Sequence, residues 1–218
     1  MTTHRSEINL KDFVTMYGRP FSEALGIDLK SGKNGEILKW FLASILYSKP
    51  IRESSATRTY SSFLRHKATT PKEILRIGWH GLVNILDEGS YTRYDFSTAD
   101  KLLEVFGNLQ KDYEGDLNKL HQLSENSSAL EENIKRLGKG IGDTTVSIFL
   151  REMRHIWPKS DPKPSKLVKI AMEDLGIEDL KRLAESEGMD LVRLETALLR
   201  YAKDFLRKGK RLYIKLKS

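Results

Sequence analysis

The sequence predicts an all-α fold. Apolar residues recur every three or four positions through nearly the whole chain, which is the spacing of amphipathic helices. Several of these runs begin with a capping signal and end at a glycine, as Thr70-Pro71-Lys72-Glu73 and Gly78 do. Alternation that suits a strand is confined to residues 211–216. With 39% hydrophobic and 31% charged residues, the 218-residue chain can bury a sizeable core.

The predicted helices follow one another along the chain. A broad apolar face over residues 36–47 predicts the first. The capping box at Thr70 predicts a short helix that closes near Gly78, and a second short helix follows over residues 80–87, ended by Gly89. The remaining helices are expected to begin at Ser97 and Ser128 and to span residues 143–157, 166–175, 177–187 and 191–207.

Two interruptions predict that the helices form two lobes. Residues 158–164 contain three prolines, which exclude a continuous helix there. Residues 32–35 contain two glycines and mark a second crossing. We therefore expect a middle lobe over residues 36–157. The second lobe is expected to combine residues 1–35 with residues 158–218.

Composition narrows the classes of function. A net charge of +7 favours polyanionic partners because neutralising phosphates releases condensed counterions, although a solvated charged face has the same composition. The absence of cysteine excludes disulfides, thiolate zinc sites and cysteine-ligated iron–sulfur clusters. No apolar run approaches the ~18 residues that a membrane span needs, so no membrane partner is expected. An intracellular location, in the cytoplasm or nucleoid, is the expectation.

The most informative stretch is residues 137–145, which read Leu-Gly-Lys-Gly-Ile-Gly-Asp-Thr-Thr between two amphipathic helices. Alternate glycines permit positive φ and a tight turn, and Ile141 between them can pin that turn to the core. Such a turn exposes backbone N–H groups at the start of the next helix, where the helix dipole favours an anion. Lys135, Arg136 and Lys139 add positive charge. We predict a clamp on a phosphate backbone; the alternative is an ordinary helix end followed by an ordinary helix start.

Residues 138–146 resemble the hairpin of the helix-hairpin-helix DNA glycosylase superfamily, in its endonuclease III and adenine-glycosylase group. Upstream, residues 45–50 resemble the first buried helix of that family and the loop that probes the duplex. Residues 70–78, 81–89 and 91–93 follow the family's order of short helices. The resemblance covers roughly residues 36–175. It implies one glycosylase domain over residues 1–218, with the helix-hairpin-helix motif, residues 130–156, at the cleft between the lobes.

The resemblance implies a DNA repair enzyme that flips a damaged or mispaired base from duplex DNA and hydrolyses its N-glycosidic bond. Asp161 corresponds to the catalytic carboxylate of the family, which stabilises the positive charge that develops on the sugar. Pro162 follows it where the family has threonine, so a turn or cap role is the alternative. Thr144 stands where bifunctional members carry a lysine. A hydroxyl forms no Schiff base, so a monofunctional reaction is implied, with Thr144 lining the site.

The same resemblance implies the DNA contacts and the cofactors. Residues of the hairpin contact the phosphate backbone, and Lys49 fills the space of the extruded base unless it is an ordinary surface lysine. The family's hairpin also binds a monovalent cation, K⁺ or Na⁺, through backbone carbonyls. No other cofactor is required, and a chain without cysteine cannot hold the family's iron–sulfur cluster. The implied DNA-binding residues are Lys139, Gly140, Ile141, Gly142, Thr145, Lys49 and Arg136, and the implied carbonyl ligands are those of Arg136, Gly138 and Ile141.

We expect a monomer that acts on double-stranded DNA carrying a damaged or mismatched base. Two alternatives stay open from the sequence. The chain could be a non-catalytic helix-hairpin-helix DNA-binding protein that has lost productive geometry around Asp161. It could also be a bifunctional glycosylase and AP lyase that uses a relocated lysine, and Lys139, Lys159 and Lys163 are the candidates nearest to the hairpin in sequence.

Overall fold

The structure is a computed structural model that describes residues 7–216. It confirms the all-α fold, because helices make up 67% of the chain and strands only 2%. No helix within the described residues has both the length and the apolar character to cross a bilayer. The helices are α1 (Leu10–Tyr17), α2 (Phe21–Ala24), α3 (Asn34–Tyr47), α4 (Glu53–Arg65), α5 (Pro71–Glu88), α6 (Asp95–Tyr113), α7 (Leu117–Leu123), α8 (Ser127–Lys135), α9 (Asp143–Met153), α10 (Lys166–Leu175), α11 (Leu180–Ser186) and α12 (Leu191–Asp204).

The chain divides into two compact units, Leu25–Pro162 and Met1–Ala24 with Lys163–Ser218. One division falls inside the proline-rich segment, but the other lies before residue 25 rather than at residue 36. The glycine stretch before α3 belongs to the middle unit because Asn34 ties it there. Its side chain donates to the Gly115 carbonyl at 2.9 Å and accepts from the Leu117 amide at 3.0 Å. Asp161 consequently lies in the middle unit and not in the second lobe, where the sequence had placed it.

Helix α3 is the centre of the middle unit. Its apolar residues cover all sides of the helix, and Trp40, Phe41 and Leu46 are completely buried. The Trp40 indole donates to the Phe149 carbonyl at 3.1 Å, and the Phe41 ring packs on those of Phe106 and Phe149. Each such side chain contributes roughly 2–3 kcal/mol of hydrophobic stabilisation. The core therefore holds α6 and α9 against α3, and these two helices carry the candidate site.

Several helix boundaries follow the sequence signals and others do not. Thr70 caps α5 by accepting from the Glu73 amide, and Gly78 (φ 70°, ψ 179°) breaks α5 into two halves where the sequence predicted an end. Helix α8 starts at Ser127 because Asn126, rather than Ser128, caps it by accepting from the Ala129 amide. Further predicted bounds were wrong: α6 begins at Asp95 rather than near Ser97, and α9 ends at Met153 rather than at residue 157. Helix α11 begins at Leu180 rather than at residue 177, and α12 ends at Asp204 rather than at residue 207.

The other unit packs α1 and α10 against α12. Phe13 of α1 meets the Tyr201 ring edge-on at 6.0 Å, and the Tyr201 hydroxyl donates to Asp174 at 2.7 Å. The strand predicted near the end of the chain is short. Ile214–Lys215 (β2) pairs in parallel with Ile8–Asn9 (β1), in the register that sets Ile8 opposite Ile214.

Candidate functional site

The hairpin, residues 136–142, joins α8 to α9 in a tight turn. The Leu137 amide closes the end of α8 on the Ile134 carbonyl, and the Ile141 amide donates back to the Gly138 carbonyl at 3.2 Å. Gly140 has φ +83°, a conformation that favours glycine. Ile141 is buried and holds the turn on the core. The turn therefore presents its backbone outward from a fixed base.

The start of α9 has no side-chain cap. Gly142 occupies the cap position in an extended conformation, and no side chain bonds to the first-turn amides. The first amides of any α-helix lack partners inside the helix, so these donors are available to an external acceptor. A Cβ placed on Gly142 would meet no atom within 4 Å, so the space in front of them is open. Lys139, Gly140 and Thr144 are exposed beside this opening.

Thr145 does not belong to this surface. Its side chain is only 1% exposed, because position 145 lies on the inner face of α9 next to Val146. The sequence-based assignment of Thr145 as a DNA contact is therefore wrong for its side chain. Thr144, one position earlier, points to solvent, as expected for successive residues of an amphipathic helix.

Lys135, one of the residues expected to supply positive charge at the hairpin, is ion-paired. Lys135 binds the carboxylates of Glu132 and Asp143, both at 2.9 Å, and these two partners raise its pKa. Its charge is offset, and the Asp143 carboxylate, 94% exposed, stands in the first turn of α9. A carboxylate there competes with an incoming anion. Arg136 is exposed on the same turn.

Lys101 is the residue that sequence reasoning missed. It lies on α6, is only 6% exposed, and its ammonium donates to the Gly140 carbonyl at 2.7 Å. Burial, followed by the nearby charge of Lys49, lowers the pKa of Lys101 to about 8. The sequence did carry a signal, because Lys101 interrupts an apolar helix face between Thr98 and Val105. A lysine at such a position either buries its charged group or directs its side chain away from the apolar face of the helix.

Lys49 joins the same cluster from the loop after α3. Its ammonium lies 5.3 Å from the centre of the Tyr94 ring, and the Arg93 guanidinium lies 5.5 Å from that ring. Cations at these distances are attracted to the ring face. One part of the middle unit thus brings together four basic residues: Lys49 from the loop after α3, Arg93 from the loop before α6, Lys101 from α6 and Lys139 from the hairpin. Only Lys49 and Lys139 of these four were predicted as site residues.

Three carbonyls of the hairpin already accept hydrogen bonds, and one of them, that of Gly138, is a predicted ligand of the monovalent cation. The Leu137 carbonyl accepts from the Asn108 amide at 2.8 Å, and the Gly138 carbonyl accepts from the Ile141 amide. The Gly140 carbonyl holds the Lys101 ammonium. The predicted ligands, the carbonyls of Arg136, Gly138 and Ile141, therefore flank in sequence a carbonyl that already holds a cation.

Asp161 lies in the segment that returns beside α9. The Ser160 hydroxyl anchors this segment to the Leu150 carbonyl at 2.7 Å, and Arg154 donates to the Pro162 carbonyl at 2.8 Å. The Asp161 carboxylate is 4.0 Å from the guanidinium of Arg154, and its side chain is 46% exposed. The structure therefore holds an accessible, ion-paired carboxylate at this position.

Two of the lysines considered as relocated nucleophiles are not part of the hairpin. Lys159 binds the carbonyls of His121 and Gln122, at 3.0 and 3.1 Å, and also that of Ser124. Its ammonium therefore caps the carboxyl end of α7. Lys163 belongs to the other unit. Lys139 alone among the three candidates is part of the hairpin.

Comparison of the chain with protein-family models, with curated proteins and with solved structures gives no match. Function is therefore inferred from the hairpin and the charged groups around it.

Proposed function

We propose that this protein binds duplex DNA through the hairpin and acts as a monofunctional DNA glycosylase. The observation that carries the proposal is the uncapped start of α9, which faces open space beside Lys139. In the turn just before it, the Gly140 carbonyl accepts a hydrogen bond from the Lys101 ammonium. Unpartnered amides, a helix dipole and nearby cations are the features that bind a phosphate. The expected partner is double-stranded DNA with a damaged or mispaired base, bound by a monomer inside the cell.

The hairpin supplies affinity without sequence preference. Backbone amides and lysines bind phosphate oxygens, which are the same at every nucleotide. Lys49 lies on another loop, against the Tyr94 ring, and in this proposal its side chain enters the duplex when a nucleotide leaves the stack. The ring beside it offers a face on which a base can stack.

The proposed reaction is hydrolysis of the N-glycosidic bond. As the base leaves, positive charge develops on the sugar, and the Asp161 carboxylate stabilises it or orients the attacking water. Arg154 keeps that carboxylate in place, and its partial exposure leaves it accessible to substrate. The exposed hydroxyl of Thr144 can donate to the sugar or to water but forms no covalent adduct. The product is an abasic site with an intact strand.

The test is base release from a set of duplexes that each carry one lesion, with and without alkali after incubation. Strand cleavage that requires alkali is expected for at least one lesion. Asp161→Asn should then reduce the rate about a hundredfold or more while DNA affinity stays within twofold. Asp112→Asn removes an exposed carboxylate of α6 and serves as the matched control. Equal rates for Asp161→Asn and the wild type would exclude the catalytic role of Asp161.

A non-catalytic DNA-binding protein is the second candidate. It is favoured by the ion pair of Asp161 with Arg154 and by the proline that follows Asp161, because both restrict the carboxylate. Tight, salt-dependent binding without base release from any duplex would favour it. Strand cleavage without alkali, together with a covalent product after borohydride reduction, would instead identify a lyase amine.

A further inference from the structure

The Lys101 side chain packs closely against the hairpin at Gly140. The ammonium lies 2.7 Å from the Gly140 carbonyl. A Cβ at position 140 would stand 2.9 Å from Cε of Lys101 and 3.1 Å from Nζ, so a side chain there would push the lysine away. The glycine thus permits both the left-handed turn and the close approach of the ammonium. Asn108, two turns further along α6, donates to the Leu137 carbonyl in the same way.

A buried ammonium at this place costs stability. Desolvation disfavours the charged form of a lysine, which agrees with the lowered pKa of Lys101. Lys49 adds like-charge repulsion rather than compensation. An apolar side chain of the same length, such as methionine, would fill the position without that cost. A buried cation that costs stability and that holds the Gly140 carbonyl of the hairpin points to a role in binding.

We propose that the Lys101 ammonium is the built-in cation of the hairpin, so that phosphate binding at the start of α9 needs no monovalent metal ion. This inference rests on the proposed DNA binding. Lys101 acts as a positioning residue: it holds the Gly140 carbonyl, fixes the turn that presents the amides of α9, and places a positive charge behind them. The DNA phosphate itself binds to the amides and to Lys139.

If Lys101 takes the place of a metal ion, DNA affinity should not depend on which monovalent cation is in solution. Anisotropy of a fluorescent duplex with an abasic-site analogue would measure affinity in KCl, NaCl and tetramethylammonium chloride at equal ionic strength. Tetramethylammonium is too large to be held by backbone carbonyls in a tight turn. The wild type should bind within twofold in all three salts. Lys101→Met should bind about tenfold more weakly in tetramethylammonium, because the hairpin loses both the nearby positive charge and the hydrogen bond that holds the Gly140 carbonyl.

Two further measurements separate this role from a purely structural one. Lys111→Met removes the same charge from an exposed position of α6 and should leave affinity within twofold. The melting temperature of Lys101→Met should equal or exceed that of the wild type, since a desolvated charge is replaced by an apolar chain. A lowered melting temperature would mean that Lys101 only supports the fold, and it would overturn the proposal.

The failure of this inference can be told from the failure of the proposed function. A wild-type protein that binds no duplex in any salt would reject both. A wild type that binds in KCl but more than tenfold more weakly in tetramethylammonium would leave DNA binding intact and show that a metal ion is needed. Equal affinity of Lys101→Met and the wild type would likewise reject only the role of Lys101.

Discussion

Helices α9 and α11 both follow a turn that contains glycine, yet they treat their first amides in opposite ways. Before α11, Gly176 (φ +67°) closes α10, and Asp179 then caps the new helix by accepting from the amides of Lys181 and Arg182 at 2.9 and 3.0 Å. Before α9, Gly142 provides no acceptor. The capped helix satisfies part of its own donors, whereas α9 leaves its first amides without a side-chain acceptor. Helices α3, α4 and α6 also start without a side-chain cap, so the uncapped start of α9 becomes a candidate anion site only together with the exposed glycine turn and the nearby lysines.

The largest expected effect comes from making α9 resemble α11. Gly142→Asp adds the missing acceptor and a negative charge at a position where the backbone is extended and the space is open. DNA affinity should fall about a hundredfold, which corresponds to ~2.7 kcal/mol, because the carboxylate occupies the amides and repels phosphate. The melting temperature should stay the same or rise slightly.

Asp179→Gly is the reciprocal control for Gly142→Asp. It uncaps α11 and should lower stability by a few tenths of a kcal/mol, about the cost of replacing a capping residue by glycine. Its DNA affinity should match that of the wild type. If Gly142→Asp binds DNA normally in the same titration, the amides of α9 are not the anion site and the contrast between the two helices has no functional meaning.

The pH dependence of stability tests whether the turn before α9 is backed by a buried charge, that of Lys101. Its folded pKa of about 8 lies below the ordinary value of 10.5, so the unfolded chain binds more protons between these values. The free energy of unfolding contributed by this residue therefore rises as the pH increases from about 8 to 10.5, and the penalty is fully present below pH 8. Lys101→Met should be more stable than the wild type at neutral pH by roughly 1–3 kcal/mol.

Chemical denaturation of the wild type and of Lys101→Met across this pH range would measure the difference. The two stabilities should converge as the pH approaches 10.5, because the wild-type lysine then becomes neutral in both states. A constant difference would mean that the ammonium is not desolvated in the folded protein. Lys111→Met, at an exposed position of the same helix, should show no such convergence.

A smaller effect is expected from the carboxylate that already stands at the start of α9. Asp143 competes with phosphate from the first turn, although its ion pair with Lys135 holds part of its charge. Asp143→Asn should raise DNA affinity about twofold to fivefold at low salt, and the gain should shrink as salt screens it. Glu132→Gln removes the other partner of Lys135 on α8 and should change affinity less. A loss of affinity in Asp143→Asn would show that the ion pair, rather than the free amides, organises the hairpin.

Local sequence patterns predicted much of the fold but only part of the candidate site. The capping box at Thr70, the break at Gly78 and the turn around Ile141 follow from conformational rules that act within a few residues. The contact of Lys101 with Gly140 joins residues that are far apart in sequence, and it depends on how α6 packs against the hairpin. Helical periodicity gives the face of Lys101 but not the carbonyl that the face meets.

The boundary of the middle unit escaped prediction for the same reason. The glycines before α3 suggested a crossing, but the bonds that bind Asn34 to Gly115 and Leu117 span more than half of that unit's length in sequence. The charge at the hairpin was also misjudged, since Lys135 looks like a free cation in the sequence and is paired with Asp143 across the turn. Pairing across the turn, which helical periodicity does not reveal, therefore decided how much charge Lys135 contributes to the candidate site.

The smallest expected effect distinguishes the two faces of α9. Thr145→Val changes a buried side chain and should leave DNA affinity within twofold, because that side chain does not reach the surface. Thr144→Val removes an exposed hydroxyl at the neighbouring position, so it should leave the melting temperature unchanged and slow base release if the hydroxyl donates to the sugar or to water. Titration with duplex DNA would measure the affinities of both variants, thermal melting their stabilities, and the base-release assay the rate of Thr144→Val. An affinity loss in Thr145→Val without a fall in melting temperature would mean that the inner face of α9 opens when DNA binds, and the rigid hairpin inferred from Ile141 and Lys101 would have to be abandoned.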